Sequence, residues 1–269
     1  MSSSVFQKEE GVVAMSDYRW STLSNLTKSN PRFFEMYRRR LDRNWDCIKG
    51  VREGGHDILA IDCEMCETAT DNRCLVRLSI VSENGETLFD EIIKPRDPII
   101  NSKTELHGIT IDQIQGSKFD LNKAKAALQK LCHQKTILIG HSLNCDLKAL
   151  RIQHVNVIDT ALLFGIEGEA KQIPSMRDIF AFVSHPPRPS SGSLTHDSVW
   201  DANAALTAVK YLMNHPDSKN FTVKNLTRNG HILAVPRIDK SKCSHRGGSS
   251  ITSIFQLPKR QRVGAPPEG

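Results

Sequence analysis

The segment Asp57–Met65 (DILAIDCEM) decides the fold. It is an apolar run of strand length that ends in two acids, Asp62 and Glu64. A strand's period of two sends both of their carboxylates to one face. Such a run, bounded by polar sequence, reads as a buried strand. Working toward the C-terminus, Cys74–Val81 (CLVRLSIV) and Thr87–Ile93 (TLFDEII) read as two more strands, with Asn84 and Gly85 as the hairpin turn between them. Leu121, Ala124, Leu128 and Leu131 then recur at helical spacing, and Thr136–Ile139 reads as a short strand. Gly140, His141 and Ser142 turn into a helix over Leu143–Leu150, followed by a fifth strand at Val155–Ile158. A last helix spans Ser198–Met213 and carries one apolar face of Ala202, Ala205, Leu206, Val209 and Met213. Alternating strand and helix periods predict an α/β domain over residues 55–215.

Two extensions flank this domain. Within residues 1–54, Phe34, Tyr37, Leu41, Trp45 and Ile48 stand at helical spacing among Arg38, Arg39, Arg40 and Arg43. This predicts a basic amphipathic helix over residues 32–49. Such a helix suits docking of its apolar stripe on the domain, with the arginines in solvent. Interleaved aromatic and basic residues also suit single-stranded nucleic acid. Residues 216–269 hold ten basic side chains against three acidic ones, so the net charge of +6 is a C-terminal property. Gly, Ser and Pro are dense there and periodicity is lost, which predicts a largely disordered tail, above all over Asp239–Gly269. A basic arm fits a polyanionic partner, and it equally fits a solvated tail that maintains solubility.

No apolar stretch approaches the roughly 18–20 residues that a membrane helix needs, and MSSSVFQKEE lacks the basic and apolar regions of a signal peptide. A soluble intracellular protein is expected, with no membrane partner. Seven cysteines, an odd count, lie mostly inside apolar segments, as reduced buried thiols do. Cys63 and Cys66 form a C-x-x-C, but the only other pairing, Cys243 with His245, is almost a chain length away, so zinc is not expected.

Three acidic elements carry the chemistry. Two carboxylates on one strand face are costly to keep ionised unless a hard cation sits between them, yet many strands simply end in solvated acids. Asp146 comes from the helix after Gly140, where the helix dipole alone would favour an acid. Thr195–Asp201 (THDSVWD) opens the last helix; there Ser198 and Asp201 have capping-box spacing, and His196 could be an ordinary loop histidine. Each element is weak alone, and their order is what points to one design.

On these residues the chain resembles the DEDDh 3′→5′ exonucleases of the ribonuclease H-like fold, in the eukaryotic RNA exonuclease branch. That branch includes rRNA-trimming exonucleases, an interferon-induced antiviral exonuclease and plant small-RNA-degrading nucleases. The resemblance runs from Ile58 to Met213 through Ala60–Met65, Lys94–Pro95, His107–Thr110, Gly140–Leu150, Val157–Ala161 and His196–Ala202. It implies a five-stranded mixed sheet flanked by helices, and two divalent cations, Mg²⁺ or Mn²⁺, as cofactors. By resemblance Asp62, Glu64 and Asp201 hold one metal, Asp62 also reaches a second, Asp146 supports the second through water, and His196 is the general base. Met65, Lys103 and His107 are implied to contact substrate, although Met65 also suits a core filler. Lys103 stands where an arginine is expected in the antiviral member, and the Pro/Ser-rich stretch Val183–Leu194 is shorter than the branch usually has, so it reads as a flap carrying His196.

The activity implied is release of 5′-nucleoside monophosphates from single-stranded RNA 3′ ends, in RNA processing or turnover. Alternatives are an exonuclease acting on DNA or on both nucleic acids, and an RNA-binding scaffold, recruited to an RNA-processing assembly by the basic tail, with secondary catalysis. Lys259–Arg262 (KRQR) resembles a nuclear-import signal, so the nucleus or nucleolus is expected, with the cytoplasm as alternative.

Overall fold

The computed structural model describes residues 19–37, 45–50, 54–166, 172–184, 195–215, 224–226 and 232–233. Along the chain, helices α1 (residues 19–29) and α2 (Pro31–Tyr37) precede a two-residue strand, β1 (Asp46–Cys47). Next come β2 (His56–Thr68), β3 (Cys74–Ser82), β4 (Thr87–Ile92), β5 (Ile99–Asn101), α3 (Thr104–His107), α4 (Ile111–Gly116) and α5 (Leu121–Leu131). The second half holds β6 (Cys132–Gly140), α6 (Asn144–Leu150), β7 (Ile152–Gln153), β8 (Val157–Asp159), α7 (Thr160–Leu163) and β9 (Phe164–Ile166). It closes with α8 (Met176–Val183), α9 (Ser198–Asn214), β10 (Lys224–Leu226) and β11 (Ile232–Leu233).

The sheet runs β4-β3-β2-β6-β8. β2, β3 and β4 pair antiparallel, whereas β6 joins β2 and β8 joins β6 in parallel, which is the five-stranded mixed sheet expected; β5 adds to the far end of β2. Side-chain alternation along β2 separates two cores. Ile58 and Ala60 face a cluster with Trp20 and Leu23 of α1, Ile179 and Phe182 of α8 and the apolar face of α9. Leu59, Ile61 and Cys63 face the other cluster, with Leu128 of α5 and Leu147 and Leu150 of α6. Asp62 and Glu64 continue the parity of Ile58 and Ala60, which sends them toward α9. The pairing register with β3 shifts just after Glu64, so the acid pair sits where the regular ladder ends.

Several elements depart from the sequence reading. β2 and β6 are longer than the apolar runs that announced them, because pairing extends a strand into polar residues such as His56 and Thr68. α1 had no clear period, since its buried face includes the polar Thr22, Ser24 and Thr27 beside Trp20 and Leu23. The single helix expected over residues 32–49 does not form. α2 ends at Tyr37, and Asp46–Cys47 pairs in parallel with β7. Gln129 anchors the backbone over residues 47–49, its side-chain oxygen accepting from the Lys49 amide at 3.0 Å and its nitrogen donating to the Cys47 carbonyl at 2.9 Å. Tertiary pairing thus overrides a helical period. Tyr37, on α2, and Ile48, just after β1, do pack on the α5/α6-side core, while Phe34 is exposed. Arg38, Arg39, Arg40 and Arg43 lie outside the described residues, as do residues 185–194 of the expected flap. Within 216–269, β10 is not irregular: it adds in parallel to β9 and antiparallel to β11, because an open strand edge offers backbone partners that need no side-chain period. Asp239–Gly269 is outside the described residues. Among the described residues no helix is long and apolar enough to cross a membrane.

Candidate active site

Strand β2 delivers Asp62 and Glu64, and the first turn of α9 delivers Asp201 beside them. Ligand oxygens of these three carboxylates all lie within 4.8 Å of one another. Glu64 and Asp201 are buried and Asp62 is half-buried. Burial lifts the Asp62 carboxyl well above the usual range, reinforced by the charges of Asp146, Asp201 and Glu64. Burial and then Asp201 push Glu64 up to about 7. Burial also raises Asp201, against the opposing pull of His196 and Arg177. One oxygen of Glu64 is fully buried and has no hydrogen-bond partner among the described residues. An orphaned carboxylate oxygen facing two more carboxylates is a costly arrangement without a cation and a natural one with it, and an all-oxygen donor set suits Mg²⁺ or Mn²⁺.

Asp146 stands apart from this trio. It is 3% exposed, on α6, with the Cys63 thiol hydrogen-bonded to its carboxylate; burial raises its pKa. Its place depends on the turn from β6 into α6. A Cβ on Gly140 would come 3.1 Å from the Ile61 carbonyl oxygen and 2.9 Å from the Leu143 side chain, so glycine permits the strand end to approach β2. Ser142 then takes a left-handed conformation, φ 55°. Asp159, at the end of β8 and completely buried, clamps this turn. Its carboxylate accepts from the amides of Ser142 at 2.8 Å, Leu143 at 3.1 Å and Ala161 at 2.9 Å, and from the Tyr37 hydroxyl at 2.6 Å. Burial, then the charge and hydrogen bond of Asp159, raise the phenol of Tyr37, with smaller contributions from the nearby Asp146 and Cys145.

His196 directly precedes Asp197, the N-cap of α9. Its Nδ1 lies 3.5 Å from Asp201 Oδ2, its ring is 58% exposed, and its amide donates to the Leu106 carbonyl at 2.6 Å. Arg177 donates to the Thr195 carbonyl at 3.2 Å. The N-cap of α9 is Asp197, whose carboxylate accepts from the Val199 amide at 3.2 Å, and not Ser198 as the capping-box spacing suggested. The extra residue matters, because Asp201 is then not used for capping and faces the acid pair. Ser198 is turned inward instead, 2.6 Å from the Ser79 hydroxyl.

The three expected substrate contacts are dispersed. Met65 is half-buried against the α5/α6-side core. Lys103, itself left-handed at φ 55°, donates to the Asn72 carbonyl at 3.0 Å, which directs its ammonium to the β2–β3 loop and not to the carboxylates. His107 is buried and burial lowers its pKa; its Nδ1 accepts from the Ile109 amide at 3.2 Å, and its Nε2 has no partner among the described residues. The His107–Thr110 motif has a structural logic: Gly108, φ 76°, ends α3, and Thr110 opens α4 with a capping box to Gln113.

Sequence reading missed four residues that organise this site, namely Tyr37, Arg77, Asp90 and Asp159. A signal existed for the last three. Arg77 and Asp90 interrupt apolar strands, and a charge there needs a partner; Asp159 ends one.

No family model matches the chain. The chain is 34% identical over 170 residues to RNA exonuclease 1 of Saccharomyces cerevisiae, covering 63% of this chain and 30% of that protein. It is 37% identical over 170 residues to RNA exonuclease 3 of Eremothecium gossypii, covering 62% and 42%. Small RNA degrading nuclease 3 of Arabidopsis thaliana is 32% identical over 153 residues, covering 56% and 19%. The chain therefore spans less than half the length of these curated relatives. The fold is shared with the catalytic unit of Neurospora crassa Pan2, comprising protease and nuclease domains, at a TM-score of 0.50 and 24% identity over 64% of this chain and 28% of that one. It is shared likewise with the apo Pan2 pseudoubiquitin hydrolase–RNA exonuclease module of Saccharomyces cerevisiae, at 0.50 and 20% over 66% and 32%. The chain is thus similar over its central part to proteins named RNA exonucleases and small RNA degrading nucleases, and it shares the ribonuclease H-like fold of the Pan2 exonuclease modules.

Proposed function

We propose that this chain is a metal-dependent 3′→5′ exoribonuclease that releases 5′-nucleoside monophosphates from single-stranded RNA 3′ ends in RNA processing or turnover. The observation that carries the reading is the convergence of Asp62, Glu64 and Asp201, one of them with an orphaned buried oxygen, beside an exposed His196. Asp62, Glu64 and Asp201 would hold one divalent cation, and Asp62 with Asp146 would serve a second. Bound there, Mg²⁺ or Mn²⁺ supplies charge stabilisation for the attacking and leaving oxygens of an in-line displacement at phosphorus. His196 turns Nδ1 toward Asp201, which leaves Nε2 to take the proton from the attacking water while the bond from phosphorus to the leaving 3′ oxygen breaks. Asp201 orients that ring, its Oδ2 lying 3.5 Å from Nδ1. The resemblance would make Met65, His107 and Lys103 the contacts to the terminal nucleotides, and Lys103 would have to release the Asn72 carbonyl to make one. The choice of RNA over DNA rests on the relatives, whose names specify RNA. Residence in the nucleus and recruitment through the basic tail belong to the same proposal and rest on sequence alone.

The test is product analysis on 5′-labelled RNA and DNA of matched sequence, with Mg²⁺ or Mn²⁺, and on circular and 3′-phosphate-blocked RNA. Mononucleotide release from free RNA 3′ ends, lost in Asp62→Ala and Glu64→Ala, is expected. Cleavage of circular RNA would overturn the exonuclease reading, and equal rates on DNA would overturn the RNA preference. Deleting residues 239–269 should leave oligomer degradation intact.

A further inference from the structure

Asp90 lies on β4, the edge strand of the sheet, and is no member of the acid trio, yet its hydrogen bonds lead to the base-bearing segment. Arg77 of β3, the cross-strand partner of Glu64, donates to both Asp90 oxygens, at 2.8 and 2.9 Å. Its third contact goes to Asp197 Oδ1 at 3.1 Å, the same oxygen that caps α9 by accepting the Val199 amide. A second route runs alongside. The Ser79 hydroxyl donates to Asp90 Oδ1 at 2.8 Å and lies 2.6 Å from the buried Ser198 hydroxyl. Two residues of β3, both held by Asp90 of β4, thus reach two successive residues, Asp197 and Ser198, directly after His196.

Resting on the exonuclease reading, we infer that Asp90 and Arg77 are positioning residues: together they orient the Asp197 cap, and through it set where His196 and Asp201 stand relative to Asp62 and Glu64. As a stability element such a chain would count for little, since half-exposed ion pairs compete with solvent and salt. Its geometry argues for more than that. A two-pronged guanidinium fixes direction as well as distance, and both routes end on the turn that carries the proton acceptor. A displacement of about 1 Å at a reacting group can cost on the order of a hundredfold in rate, so a weak tether here has a large lever.

Asp90→Asn keeps the shape of the side chain and removes the charge. It is expected to lower kcat about tenfold, with KM and the half-saturating Mn²⁺ concentration within about twofold of the parent. Arg77→Gln should lose at least as much, and the double variant clearly less than the product of the two single losses, because both residues act on the Asp197 cap. Hydrogen–deuterium exchange reads the geometry independently of activity: Asp90→Asn should speed exchange in the peptide spanning residues 195–203 and leave the β6 peptide unchanged. Unaltered exchange at 195–203, additive losses in the double variant, or a loss carried by KM would each overturn the inference. A parent protein without nuclease activity would overturn the exonuclease reading itself, and the exchange experiment would still decide whether Asp90 holds the α9 turn.

Discussion

The helix N-termini at α6 and α9 each bring an acid to the same site, and they are held by opposite means. The α6 turn is gripped from inside by Asp159, a carboxylate with no exposure that satisfies three amides and the Tyr37 hydroxyl. The α9 turn is held at its cap by an ion pair in which Arg77 is 20% and Asp197 57% exposed. A buried carboxylate that satisfies several donors inside the fold cannot be traded for water without leaving amides unpaired. A half-exposed ion pair competes with solvent and salt at every moment. Asp146 is therefore placed once, at folding, whereas His196 and Asp201 occupy a position that can be tuned.

The largest effect should come from the base itself. His196→Ala is expected to reduce kcat by roughly 10²–10⁴-fold with little change in unfolding midpoint, read by single-turnover digestion beside a urea melt. A drop in stability to match would mean that the α9 turn depends on the ring, and the contrast between the two turns would fail. On the α6 side the loss should appear in stability first. Asp159→Ala leaves three amides and a buried phenol without an acceptor and should cost about 3–5 kcal/mol, against about 1 kcal/mol for Asp90→Ala. Similar urea midpoints for the two variants would erase the distinction.

A pH experiment separates the cation's contribution from both. Glu64 has a folded value of about 7 against an ordinary value of 4.5, so the folded protein retains a proton that the unfolded chain releases. Its contribution to stability is full below the ordinary value and is lost as pH rises through the folded one. A cation that takes the proton's place reverses that loss. The rise in Tm caused by Mn²⁺ should accordingly be larger at about pH 8 than at about pH 5.5, and Glu64→Gln should flatten the difference. Equal shifts at both pH values in the parent would remove Glu64 from the binding site. The smallest effect concerns salt alone. Raising NaCl from about 0.05 to about 0.5 M should speed amide exchange at residues 195–203 while leaving residues 142–150 unchanged. Acceleration at both turns would show that the buried clamp is not sealed.

Legibility in the sequence divides along the same line. Elements whose side chains repeat with a clean period were legible: β2, the hairpin at Asn84 and Gly85, α5 and α9. So was the order of Asp62, Glu64, Asp146, His196 and Asp201, because each is tied to the end of such an element. Illegible were features decided by distant partners. Tyr37 reads as one apolar position in a helical stripe, and nothing local announces that its hydroxyl meets a carboxylate 122 residues away. Ser198 had the spacing of a cap, but the neighbouring Asp197 is the better acceptor and Ser79 supplies an inward partner for Ser198. The period over residues 32–49 was real for Tyr37 and Ile48, yet β7 offered Asp46 and Cys47 a backbone ladder, and pairing outweighed periodicity.

The alternation along β2 has a consequence for length as well as chemistry. Ile58 and Ala60 commit one face to α9, and Asp62 and Glu64 inherit it only because the count from Ile58 is even. Removing or adding one residue between Ile58 and Asp62 would keep every acid in the chain while turning both toward α5 and α6. Substitutions in this stretch can be absorbed one side chain at a time. Changes in its length cannot, and the segment is under a counting constraint much as a reading frame is.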